Sequence, residues 1–210
     1  TENSRIILAL TAIGEDPTSV GGRNLLTALN DLTYVKKQGS NGPIWALIAV
    51  DSGNYEYTKR EQLIEAILAD RTDDGGWTYG EGGADADMTA MAIQALAPYY
   101  NRADVKKAVD KALTLLSKTQ NGETGAYFNS YNELSVESTA QVIVALTSLG
   151  SNPAEDDRFI TSSGLTLLDG LMHFYNGSGE FKHTVNGQAN AMATEQSYYA
   201  LVSYYRLLNQ

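Results

Sequence analysis

Asp85 and Asp87 stand two residues apart in the stretch GGADADMTAMAIQAL (82–96), directly ahead of an uncharged, alanine-rich run. Carboxyls so placed can do one of two things. Opening into an apolar, partly dry cavity, they repel one another and resist ionisation, and one can hold a proton for donation near neutrality. At a helix start, they accept hydrogen bonds from unsatisfied backbone N–H groups and complement the helix macrodipole. Other polar residues stand at comparable places further on: Glu137 and Gln141, then Glu195 and Gln196, with His183 just ahead of the last pair. All are candidates for ligand contact, together with Asp87, and Asp87 with Asp85 is the candidate acid.

The elements that position these groups are repeated. ADADMTAMAIQAL, LSVESTAQVIVAL and ANAMATEQSYYAL align without gaps, so that Thr89, Thr139 and Thr194 coincide, as do Ala95-Leu96, Ala145-Leu146 and Ala200-Leu201. A glycine-aromatic element precedes each: GGW (75–77), GAY (125–127) and GEF (179–181). The period of roughly 50 residues is that of helical-hairpin repeats. NGPIWALIAV (41–50) is a weaker copy, and SRIILALTAIG (4–14) looks like the tail of another. In this register Asp85 matches Ser135 and Asn190, all good N-caps, and Asp87 matches Glu137 and Met192. Trp77 and Tyr127 are expected to plug between neighbouring hairpins, with ligand contact as their other use.

Two kinds of helix alternate. VKKAVDKALTLLSK carries Val105, Ala108, Val109, Ala112, Leu113 and Leu116 on one face and Lys106, Lys107, Asp110 and Lys111 on the other, which predicts one wet side. MTAMAIQALAPYY and STAQVIVALTSL carry no charge beyond their first residues, which predicts helices covered all round. The expected helices are 3–14, 22–36, 43–51, 59–70, 86–100, 103–118, 136–149, 158–175 and 190–208, with turns rich in Gly, Asn and Asp between them. The chain is expected to be all-α, one domain over 1–210, its hairpins stacked in two layers as a solenoid or a ring. It opens almost inside a helix, so a piece of a larger protein with flanking domains is expected.

Composition excludes several functions. The net charge of −10, with no run of basic residues, is a poor match for nucleic acid. Without cysteine there is no disulfide, no thiolate metal site and no cysteine nucleophile. His173 and His183, the two histidines, show no metal-binding spacing, and DRTDDGGW matches no twelve-residue calcium loop. Neither a G-x-S-x-G elbow nor a phosphate-binding glycine motif occurs. No metal or cofactor is expected, and no membrane-spanning segment is visible. The partner is expected to be a small molecule or a protein of unknown identity.

The GxW elements, each followed by a helix with the pattern T-A-x-x-x-x-A-L, resemble the repeats of the terpenoid cyclase and protein prenyltransferase α/α-toroid superfamily. The likeness runs over nearly the whole chain and is nearest to bacterial surface proteins with prenyltransferase/squalene oxidase-type repeats. It implies an α/α toroid of inner and outer helices, an incomplete ring in this chain, and a cell-surface or secreted location. It is also similar to the toroid of cobalamin carriers such as intrinsic factor. The leading expectation is a non-catalytic binding or scaffold domain. One alternative is cyclase-like: DADMTA stands where squalene–hopene-type cyclases carry Asp-x-Asp-Asp-Thr-Ala, which would make Asp87 the general acid. Met88 replaces that motif's last aspartate. A second alternative is corrinoid binding together with another domain. The zinc site of protein prenyltransferases lacks its cysteine here.

Overall fold

The computed structural model describes every residue but 81, so that Glu81, within the glycine-rich stretch 79–86, lies outside the described residues. Nine α-helices are found among the described residues, and the fold is all-α. They are α1 (Glu2–Ala12), α2 (Leu32–Lys36), α3 (Asn41–Ser52), α4 (Arg60–Ala69), α5 (Ala86–Leu96), α6 (Ala103–Thr119), α7 (Val136–Ser148), α8 (Leu167–Met172) and α9 (Ala191–Leu208). The odd-numbered helices pack side by side in chain order, α1 on α3, α3 on α5, α5 on α7 and α7 on α9. The even-numbered helices form a second layer, α2 and α4 against α3, α6 against α5 and α8 against α7.

Burial follows the charge pattern. The residues that α6 buries are Val105, Ala108, Val109, Ala112, Leu113 and Leu116, the apolar face expected of it. From Val136 to Thr147, α7 is buried at every position but Gln141, because α5, α9 and α8 cover it. Helix α9 is more exposed than α5 and α7. It buries only Ala193, Ser197 and Ala200 and leaves Tyr198, Val202 and Tyr205 exposed.

Two expected helices are broken, each by short polar side chains that compete for backbone N–H groups. In place of 22–36, a 3-10 turn at Leu25–Asn30 capped by Asn24 is followed by α2, whose cap is Asp31; its Oδ1 accepts the Tyr34 N–H at 3.0 Å. In place of 158–175, a 3-10 turn at Asp157–Phe159 leads into a Thr-Ser-Ser-Gly turn, with Gly164 at φ +79°. Helix α8 then starts from a capping box of Thr166 and Asp169. His173 therefore lies at the end of α8, exposed, and not on a long outer helix.

The repeat explains the joints. Gly75, Gly125 and Gly179, two residues ahead of each aromatic, all adopt left-handed φ (+99°, +78° and +93°), which a side chain would strain. The aromatic that follows is fixed from two sides. The N–H groups of Trp77, Tyr127 and Phe181 donate to the hydroxyls of Thr89, Thr139 and Thr194 at 3.0, 3.1 and 3.0 Å. Trp77 Nε1 donates to the Ile67 carbonyl and the Tyr127 hydroxyl to the Leu116 carbonyl, both at 2.7 Å, which ties each aromatic to the C-terminal end of the outer helix before it, α4 or α6. Each loop then folds back on itself. The cap residue's N–H meets the aromatic's carbonyl for Asp85 on Trp77 (2.9 Å) and Asn190 on Phe181 (3.0 Å). Between them in the chain, β1 (Tyr127–Phe128) pairs antiparallel with β2 (Leu134–Ser135), setting Tyr127 opposite Ser135.

Candidate functional site

Asp85 and Asp87 are engaged by different partners. Asp85 is the N-cap of α5: one carboxylate oxygen accepts the Met88 N–H at 2.7 Å and the other the Tyr79 N–H at 3.1 Å. Ser135 and Asn190 cap α7 and α9 in the same way, with acceptor bonds to Ser138 N and to Met192 and Ala193 N. Both Asp85 oxygens thus serve the backbone. Asp87 points elsewhere and lines a cavity of about 620 Å³.

That cavity is built from the first turns of five helices. One ring of lining residues is Thr1, Asn41, Asp87, Glu137 and Met192; a second, one helical turn deeper, is Arg5, Trp45, Met91, Gln141 and Gln196. Each ring takes one residue from the start of each of α1, α3, α5, α7 and α9, at the same place in the repeat. The N-terminal ends of all five helices therefore meet at this cavity. Glu195 and Tyr199 of α9, His183 and the 129–131 loop complete the wall. Asp87, Glu137, Gln141, His183, Glu195 and Gln196 are brought together as the sequence suggests.

Trp77 and Tyr127 are not among them; Tyr127 lines a separate pocket with Asp85 and Phe128. Trp77 is fully buried and Tyr127 nearly so, each with its polar atom already bonded to a helix carbonyl, because plugging the hairpin joint is what places an aromatic after the glycine. Asn41, Trp45, Ser138 and Tyr131 are site residues that the sequence reading missed. The first two were within reach: carrying the register back from Ala95 to Ala49 sets Asn41 against Asp87 and Trp45 against Met91. Tyr131 lies on a loop outside the repeat pattern, so no spacing announces it.

The polar groups interlock. The Ser138 hydroxyl donates to Asp87 Oδ2 at 2.9 Å, reaching from α7 to α5. Burial pushes the Asp87 carboxyl up to about 6; the Ser138 bond opposes this, and the charges of Asp85 and Glu137 add to it. Glu137, with 8 % of its side chain exposed, accepts the Ser135 hydroxyl on Oε2 at 3.0 Å and meets His183 Nδ1 there at 2.8 Å. Its other oxygen, Oε1, is buried with no hydrogen-bond partner among the described residues. Below, Gln94 donates to Gln141 (2.9 Å) and Gln141 to Gln196 (3.0 Å), so an amide chain ties α5, α7 and α9 together under the cavity.

Such a wall can bind hydrogen-bond donors through its carboxylates and amides, and apolar groups through Trp45, Met91 and Tyr199. Among the described residues no three His, Asp or Glu side chains are grouped to hold a metal. In the DRTDDGGW stretch, the Asp74 carboxylate accepts from the Thr72 hydroxyl and the Ala84 N–H, which closes the turn. No described helix is long and apolar enough to cross a membrane. No family model matches the chain, and no curated protein matches it in sequence.

Proposed function

We propose that this chain is a ligand-binding domain of the α/α-toroid kind, in which five inner helices turn their N-terminal ends toward one central site. The observation that carries the reading is the lining: a residue from the start of every odd-numbered helix, and another one turn deeper, meet at a single cavity. Its volume lies in the range of small-molecule sites. The role is non-catalytic binding, and a cell-surface or secreted setting is proposed on the family resemblance alone.

A second reading, isoprenoid cyclisation started by Asp87, is favoured by one observation. Asp87 opens to the cavity, and burial lifts its carboxyl to about 6, within reach of a general acid. The rest of the wall argues against it. Glu137, Gln141 and Gln196 make it polar, where a carbocation needs apolar and aromatic walls.

Thermal unfolding against polyprenyl diphosphates, squalene analogues, cobalamin, glycans and calcium separates these readings. A ligand at about 100 times its dissociation constant adds about 2.7 kcal/mol, or roughly 5–10 °C in the midpoint of a domain this size. A compound that raises the midpoint and is recovered unchanged is the result expected of a binding domain. Turnover of an isoprenoid, abolished in Asp87→Asn, would replace that reading with the cyclase.

A further inference from the structure

We propose that the cavity takes an organic cation, a primary ammonium or guanidinium group held at Glu137 and Asp87 with its carbon skeleton against Trp45. This rests on the cavity being a binding site and adds the chemistry of its ligand.

The first support is a missing donor. Glu137 lines the cavity, is more than nine-tenths buried, and has one oxygen occupied twice while Oε1 is closed off from water with no donor among the described residues. A buried carboxylate oxygen in that state lacks a partner that ligand N–H groups supply.

The second support is charge. Asp87 and Asp85 on α5, Glu137 on α7 and Glu195 on α9 bring four carboxyls to the neighbourhood, against Arg5 on α1 and the His183 imidazole. Asp87 feels the repulsion of Asp85 and Glu137. A cation relieves that repulsion, whereas a neutral polyol leaves it in place. The ring of Trp45 offers an electron-rich face of the kind cations stack on, and the chain's net charge of −10 draws cations from solution.

Calorimetric titration with benzylammonium and agmatine, beside the neutral isostere benzyl alcohol and the neutral disaccharide cellobiose, tests this. At pH 7.5 the two cations are expected to bind at least about tenfold more tightly than benzyl alcohol, and Glu137→Gln to weaken them by about as much. Lowering the pH to 5 protonates Asp87 and is expected to weaken them several-fold. Asp87→Asn, a second variant in case Glu137→Gln disturbs the fold, is expected to weaken them and flatten that pH dependence. Cations binding no better than benzyl alcohol, or binding that survives both substitutions, would overturn the proposal. Cellobiose binding lost in Trp45→Ala, with no preference for cations, would overturn the ligand class and leave the site standing. No binding by any of the four would count against both.

Discussion

Three threonine hydroxyls do one job in this protein, accepting the N–H of the aromatic that plugs a hairpin joint. Replacing Thr139 with Val keeps the shape and strands the buried Tyr127 N–H, so a loss of about 1–3 kcal/mol is expected in urea unfolding. Thr194→Val, at a joint only partly buried, is expected to cost less. Asp87 obeys a different balance. Its folded value of about 6 lies above the ordinary 3.8, so the folded state holds the proton more tightly than the unfolded chain does. Stability is therefore favoured below about pH 4 and declines as pH rises through 6. Asp87→Asn removes that penalty. Unfolding at pH 7.5 is expected to show the variant more stable by about 1–2 kcal/mol, discounted for the carboxyl's partial exposure, and the difference is expected to vanish near pH 4.

At the scale of the element, helix starts do most of the specifying. Asp85, Ser135 and Asn190 are interchangeable as caps because each offers an oxygen to the N2 or N3 amide. Asn190 satisfies two such amides on a helix with only three buried residues, so Asn190→Ala is expected to cost about 1 kcal/mol and to fray the first turn of α9, visible as faster amide exchange at Met192 and Ala193. The caps, the buried face of α6 and the enclosure of α7 were legible, because charge and 3.6-residue periodicity carry them directly. The breaks inside 22–36 and 158–175 were not legible in that way. There the apolar spacing continues while Asn24, Asp31 and the Thr-Ser-Ser-Gly turn redirect the backbone locally. The extent of exposure on α9 was not legible, because its exposed face mixes tyrosines with Glu195 and Arg206, and only the packing around it decides which are covered.

Across the whole molecule, the repeat that builds the core also builds the cavity. Each of the three strong copies contributes a threonine to the joint and, two residues either side of it, one residue to each ring of the wall: Asp87, Glu137 and Met192 in one ring, Met91, Gln141 and Gln196 in the other. Most of the candidate site was therefore legible as a register, and Asp87 was separable from Asp85 only by seeing which carboxylate the backbone had already engaged. The central claim, that this cavity is where the protein binds, is tested most directly by filling it. Met91→Trp adds bulk between Trp45 and Gln141 without touching a cap or a joint. Its thermal midpoint would be measured with and without each compound that stabilises the unmodified chain. The account predicts that a stabilising ligand raises the midpoint of the unmodified protein by several degrees and leaves that of Met91→Trp unchanged. An equal rise in both would contradict it, because the ligand would then be bound somewhere else.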